Sequence, residues 1–190
     1  MSDMENRHAD IIDAAKGLFL RYGVKRTGMN DIAEEAGISR QTLYKAFANK
    51  EAVLQATIRM LADKVVADIE AGIEKADGLG TKLDVVLKHI AVEHYDFLQS
   101  SPNAEDIVAG VNASSQEELE AGAKRNVELI GRVLEPHADA IEANDLTVTQ
   151  LADFIQRSAT AAKHDAKNRK HFLELLAVLR VSVLRLTGAS

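Results

Sequence analysis

The chain has no cysteine and no tryptophan, and only two prolines, Pro102 and Pro136, interrupt its 190 residues. Without cysteine neither a disulfide framework nor a thiolate metal site can form, which fits a reducing cytoplasm. Aromatics make up only 4% of the residues while hydrophobic residues make up 46%, much of it Ala and Leu, a composition that favours helices over sheets. No stretch approaches the roughly 18 consecutive apolar residues of a membrane span. The opening MSDMENRHAD is polar and has no apolar leader core. The expectation is a soluble, unexported, cytoplasmic, all-α protein. Signatures of catalysis are missing as well. There is no His-Glu-x-x-His, Gly-x-Ser-x-Gly, phosphate loop or dinucleotide fingerprint. His89 and His94 are five apart, not at the i, i+4 spacing that puts two metal ligands on one helix face. No catalytic residue, metal or cofactor is therefore expected.

The net charge of −6 opposes nucleic-acid binding only if it is spread evenly, and it is not. Residues 1–52 hold eight basic and eight acidic side chains, so the whole acidic excess lies beyond them. Arg40, Lys45 and Lys50 follow Glu35 with no acid between them, giving a local positive surface suited to phosphates.

The richest stretch is Thr27 to Lys50, TGMNDIAEEAGISRQTLYKAFANK. Met29, Ile32, Ala33 and Ala36 recur at i, i+3, i+4 and i+7, one apolar helix face. Gly37 ends that helix, because glycine takes the left-handed conformation of a C-terminal cap without a Cβ penalty. Ser39 is an N-cap for a second helix, about Arg40 to Ala46. Leu43 and Phe47 face inward, leaving Arg40, Gln41, Thr42, Tyr44 and Lys45 outside. Two short helices at a tight turn form a helix-turn-helix, whose second helix meets base edges in the major groove.

These residues carry a family resemblance. Ile32-Ala33-x-x-Ala36-Gly37-Ile38-Ser39-x-x-Thr42-Leu43-Tyr44-x-x-Phe47-x-x-Lys50-Glu51 resembles the N-terminal signature of TetR/AcrR-type bacterial transcriptional regulators. The resemblance covers roughly the first 55 residues. It departs from the common pattern at Gln41, where a small residue or proline is frequent, and at Ala46, where histidine or tyrosine is frequent.

Around this stretch the periodicity predicts further helices. A first helix from about Glu5 to Tyr22 carries Ile11, Ile12, Ala15, Leu18 and Phe19 as its apolar stripe. In the connector that follows, Lys25, Arg26 and Thr27 lie where the DNA backbone would pass. Asn49 caps a fourth helix from Lys50 to about Lys75, which at 1.5 Å per residue would be about 39 Å long and join the N-terminal part to the rest. Gly78-Leu79-Gly80 reads as a break, followed by one helix from Thr81 to Ser100 and a short one from Asn103 to Asn112. Ala113-Ser114-Ser115 reads as a loop, with Ser115 and Glu118 forming a capping box for Gln116 to Leu134. A connector follows Pro136, then a helix from Thr147 to about Lys163 and a last one, Phe172 to Leu186, opened by Lys167 or Asn168. That last helix is apolar nearly all round, as expected of a helix covered on several sides.

The expected architecture is a three-helix helix-turn-helix domain over residues 1–50 and a C-terminal helical bundle over residues 51–190. The resemblance implies that the bundle binds an effector and dimerises through the two C-terminal helices, an isologous four-helix arrangement. It also implies a homodimer on palindromic double-stranded DNA, acting as a ligand-responsive repressor. Arg40 and Gln41 suit guanine and adenine edges respectively. Lys25, Arg26, Thr27, Ser39, Thr42, Tyr44, Lys45 and Lys50 are the further DNA-facing candidates. By resemblance the effector cavity would draw on His89, Tyr95, Phe97, Ile107, Val111 and Phe154, apolar walls with a few polar groups. The alternative is a helical small-molecule-binding or enzymatic protein that has lost DNA binding.

Overall fold

The computed structural model describes residues 3–108 and 113–189, and among them all regular structure is helical. In order these are α1 (Asp3–Tyr22), α2 (Met29–Glu35), α3 (Arg40–Ala46), α4 (Lys50–Ile73) and α5 (Gly78–Leu87). A π-helical turn, Lys88–Val92, leads into α6 (Glu93–Ser100), α7 (Ala104–Val108) and α8 (Ala113–Leu134). A 3-10 turn, Glu135–His137, precedes α9 (Ala138–Glu142), α10 (Val148–Asp165) and α11 (Arg169–Leu186). No helix among the described residues is long and apolar enough to cross a membrane. The chain divides into two compact units, Met1–Asp63 with Phe97–Ala121, and Lys64–Asp96 with Gly122–Ser190.

In the first unit the apolar stripes meet as their spacing dictates. Ile11, Ala15, Leu18 and Phe19 of α1 are buried with Ile32 and Ala33 of α2, Leu43 of α3, and Val53, Leu54 and Ile58 of α4. A distant stretch of sequence joins them, since Ile107 of α7 belongs to the same core. The same stretch closes the end of α1. Ser101 Oγ donates to the carbonyl oxygen of Leu20 at 2.6 Å, and Asn103 Nδ2 donates to it at 3.0 Å. The final carbonyls of a helix have no partner within it, so these side chains supply one.

The expected loop at Ala113–Ser115 is instead helix, because α8 is already under way at Ala113 and Ser115 is buried within it. Glu118 forms an ion pair with Arg59.

The second unit packs α5, α10 and α11 around Leu83, Val86, Ile90, Ile155, Phe172 and Leu176. Two sequence expectations shift here. α4 stops at Ile73 and α5 begins at Gly78 itself, so the glycine pair opens the helix rather than separating two. The single helix expected from Thr81 to Ser100 is interrupted by the π turn, where the Glu93 N–H bonds back five residues to the Lys88 carbonyl. α4 and α5 approach closely at Gly72, where a Cβ would stand 2.5 Å from Val85 Cγ1. The polar connector after Pro136 contains the 3-10 turn and α9.

α10 opens on a capping box. The Gln150 N–H donates to Thr147 Oγ1 at 3.1 Å and the Thr147 N–H donates to Gln150 Oε1 at 2.9 Å. Asn168 caps α11 through the His171 N–H at 3.0 Å, starting that helix earlier than Phe172. Its apolar girdle divides. Phe172, Leu176, Leu179, Val183 and Leu184 are buried, whereas Leu173, Val178 and Val181 stay exposed, Val178 by 65%.

Candidate nucleic-acid interface

The turn between α2 and α3 is fixed by backbone hydrogen bonds. Gly37 has φ +64°, its N–H donates to the Glu34 carbonyl at 3.0 Å, and the Ile38 N–H donates to the Ala33 carbonyl at 2.9 Å. This pair of bonds is the Schellman arrangement, which gives the last carbonyls of α2 their partners and sets the exit direction of the chain. Two residues later Ser39 starts α3, its hydroxyl accepting the Thr42 N–H at 3.1 Å. The Ser39 and Thr42 hydroxyls also share a hydrogen bond at 2.9 Å. With Leu43 and Phe47 buried, the orientation of α3 is set by its apolar side.

What remains outside is polar. Arg40, Gln41, Tyr44 and Lys45 are exposed. Arg40 with Tyr44, and Gln41 with Lys45, are each four apart and so share a helix face. Among the described residues no hydrogen bond or ion pair engages the side chains of these four, nor those of Lys25 and Arg26, which are exposed on the α1–α2 connector. α3 has no acidic residue in its first turn and Lys45 in its last.

Two predicted contacts stand elsewhere. Thr27 is only 2% exposed, and its hydroxyl donates to the Gly23 carbonyl at 2.9 Å, so this side chain fastens the connector from within. The Lys50 ammonium donates to the carbonyls of Val24 at 2.7 Å, Thr27 at 2.8 Å and Lys25 at 3.3 Å. Three donors directed at three carbonyls make Lys50 a strut of the unit. A basic residue near a recognition helix reads from sequence as a phosphate contact because its carbonyl partners lie more than twenty residues earlier.

The effector-cavity candidates are divided between the two units. Phe97 and Ile107 lie in the first unit, Ile107 in its core with Phe97 packed against it. His89, Tyr95 and Phe154 lie in the second, and Val111 lies outside the described residues. Tyr95 stacks on Phe172 with ring centroids 4.5 Å apart, which commits both rings to the core. Phe154 is 54% exposed on α10. His89 Nδ1 lies 2.9 Å from Glu93 Oε2, and Asp68 brings a third possible metal-ligating atom within 4.8 Å of both. Lys64 pairs with Asp68 at 2.6 Å and Lys88 with Glu93 at 3.6 Å, so this cluster already contains balancing charge. Sequence reasoning missed three polar residues of the second unit: the buried Lys163, and the half-buried His94 and Gln156, each with one polar atom shielded from solvent.

Comparison with known proteins identifies the N-terminal part. Residues 11–57 match the family model described as bacterial regulatory proteins, tetR family. An uncharacterized HTH-type transcriptional regulator of Mycobacterium tuberculosis is 34% identical over 84 residues, 42% of this chain and 42% of that protein. The match therefore spans less than half the length of that relative. Among solved structures, a candidate transcriptional regulator of Pseudomonas aeruginosa PAO1 aligns over 98% of this chain and 93% of its own, with TM-score 0.76 and 16% identity. The SmeT–triclosan complex aligns over 95% of this chain and 90% of its own, with TM-score 0.66 and 20% identity. At these identities the likeness is one of fold.

Proposed function

Because residues 11–57 match the tetR family of bacterial regulatory proteins, we propose that the chain is a sequence-specific DNA-binding transcriptional regulator of that family, a cytoplasmic, ligand-responsive repressor that acts as a homodimer on a palindromic operator. The observation that carries this is the exposed, unpaired set Arg40, Gln41, Tyr44 and Lys45 on a helix held by the Gly37 turn and the Ser39 cap. A reading helix must present side chains on a rigid support, since geometry slack at the base edge forfeits bidentate contacts.

In this reading Arg40 and Gln41 meet base edges, and Lys25, Arg26, Ser39, Thr42, Tyr44 and Lys45 meet the backbone. Residues 1–50 form the DNA-binding part and residues 51–190 the effector-binding and dimerising part. The exposed apolar groups Phe154 on α10 and Leu173, Val178 and Val181 on α11 support a partner surface there. The triclosan complex of a protein of the same fold supports a small-molecule effector for this chain. An effector that binds one conformation better than another shifts the population by its differential affinity and no more.

The test is selection of bound sequences from a random duplex pool at roughly physiological salt, where the non-specific electrostatic contribution is not exaggerated. Enrichment of an inverted repeat is the expected result. No enrichment, by protein shown to be folded, both without and with candidate effectors, would overturn the reading and favour a helical small-molecule binder.

A further inference from the structure

Lys163 of α10 is a lysine only 8% exposed. Its ammonium donates to the Ile90 carbonyl at 3.3 Å. Ile90 sits in the π turn, and such widened turns recur at functional sites because they turn carbonyls away from the helix ladder. Among the described residues no carboxylate pairs with Lys163, and two of its three N–H bonds meet no acceptor. Burial alone lowers its pKa to about 8, so near neutral pH it remains an uncompensated cation in the interior of the second unit.

Its surroundings share the deficit. His94 Nε2 is shielded from solvent and has no hydrogen-bond partner. Burial first, then the charges of Lys163 and His164, push the His94 pKa down to about 3, which keeps the ring neutral and able to donate from one nitrogen. Gln156 Oε1 is likewise shielded and without a partner. Gln156 lies seven residues before Lys163 on the same face of α10, about 10 Å along the axis. Ala159 and Thr160, the residues between them on that face, are both short. A buried cation with spare donors, a neutral imidazole and an amide oxygen in need of a donor are together complementary to an anion bearing a hydroxyl on an apolar body. Ile90, Tyr95 and Ala159 supply apolar surface in the same core.

We propose that Lys163, His94 and Gln156 form the recognition site for a small amphiphilic carboxylic acid, its carboxylate held by Lys163 and His94 and a hydroxyl on its chain donating to Gln156. This deepens the reading of residues 51–190 as the effector-binding part and rests on it. The Lys163 to Gln156 spacing fits a chain of roughly eight carbons, so 8-hydroxyoctanoate is the probe and 1,8-octanediol its neutral counterpart.

The experiment is calorimetric titration of the full chain with both compounds near neutral pH, with melting followed by circular dichroism, for wild type, Lys163→Met and Gln156→Leu. One acid bound per chain is expected, with the diol at least about tenfold weaker. Lys163→Met should lose the acid by at least about tenfold yet melt no lower than wild type, because it removes an uncompensated charge. Gln156→Leu should bind the acid more weakly. If Lys163→Met does not fold, Lys163→Gln replaces it, with the same loss expected. Absence of acid binding, equal binding of acid and diol, or a folded Lys163 variant that binds like wild type would overturn the site. The effector reading is tested separately by release of selected DNA. Absence of acid binding together with release of DNA by another compound sinks this site alone; acid bound through Lys163 with DNA affinity unchanged supports the site and sinks its reading as the effector site.

Discussion

The ammonium of Lys50, the first residue of α4, lies 2.7 Å from the carbonyl oxygen of Val24, in the connector that follows α1. With Thr27 O at 2.8 Å it fastens the start of α4 to the segment leading into α2. The reading unit is thereby closed by a charged hydrogen bond as well as by apolar packing. Bonds from an ammonium to neutral carbonyls are stronger than neutral ones, and leaving partly buried carbonyls unpartnered is costly.

Lys50→Met keeps the aliphatic stem and removes the donors. It is expected to destabilise the protein by about 1–3 kcal/mol, read as a lower urea midpoint. DNA affinity should fall without a change in salt dependence. A stability equal to wild type together with a salt slope flatter by about one would instead assign Lys50 to a phosphate.

Arg40 has the opposite expectation. Exposed and unpaired, it contributes nothing that holds the fold, so Arg40→Ala should melt like wild type. Binding to the selected sequence should weaken by about 1–3 kcal/mol, with preference relaxed at one base pair of each half-site. Uniform weakening across all sequences would move Arg40 to the backbone contacts.

Substitutions at Leu176 or Val183 cannot probe dimerisation cleanly, because both are buried within the second unit. Val178 and Val181 are exposed on α11, so Val178→Asp with Val181→Lys should leave the melting of the isolated subunit largely intact. If α11 contributes to a partner surface, sedimentation should shift from dimer to monomer. An unchanged sedimentation coefficient would locate the dimer contact elsewhere.

His94 and Lys163 set a pH dependence whose sign follows from their lowered pKa values. Below its ordinary value of 6.5 the unfolded imidazole takes up a proton that the folded one, at about 3, refuses. Stability should therefore fall as pH drops from about 6.5 towards 3, by up to about 1.4 kcal/mol per pH unit from this group. For Lys163 the unfolded amine keeps its proton up to 10.5 while the folded one releases it at about 8. Between those values stability should rise with pH as the buried charge is removed. Denaturant titrations of His94→Leu and Lys163→Met should lose the acid-side and alkaline-side dependence respectively; slopes identical to wild type would refute the assignment.

Much of the first unit was legible because its signals are local. The stripes at i, i+3, i+4, the glycine after α2 and the hydroxyl or amide before α3 and α4 act within a turn of where they stand. Asn49 Oδ1 accepts the Ala52 N–H at 2.8 Å, as an N-cap should. Where local signals conflicted with longer-range packing, packing prevailed. Ser115 and Glu118 have the spelling of a capping box, but α8 starts before them and Glu118 pairs with Arg59, 59 residues away.

The sequence by itself determined the helical class, the boundaries of α2 and α3, and which side of α3 is left polar, because helix periodicity and capping depend on neighbours a few residues apart. Tertiary structure alone decided which polar groups are free and which are committed. Thr27 and Lys50 turned inward to backbone carbonyls, α11 divided into buried and exposed apolar sides, Lys163 was buried, and one polar atom each of His94 and Gln156 was shielded from solvent. Burial and hydrogen-bond partnership are properties of contacts between residues distant in the chain, and no local pattern encodes them.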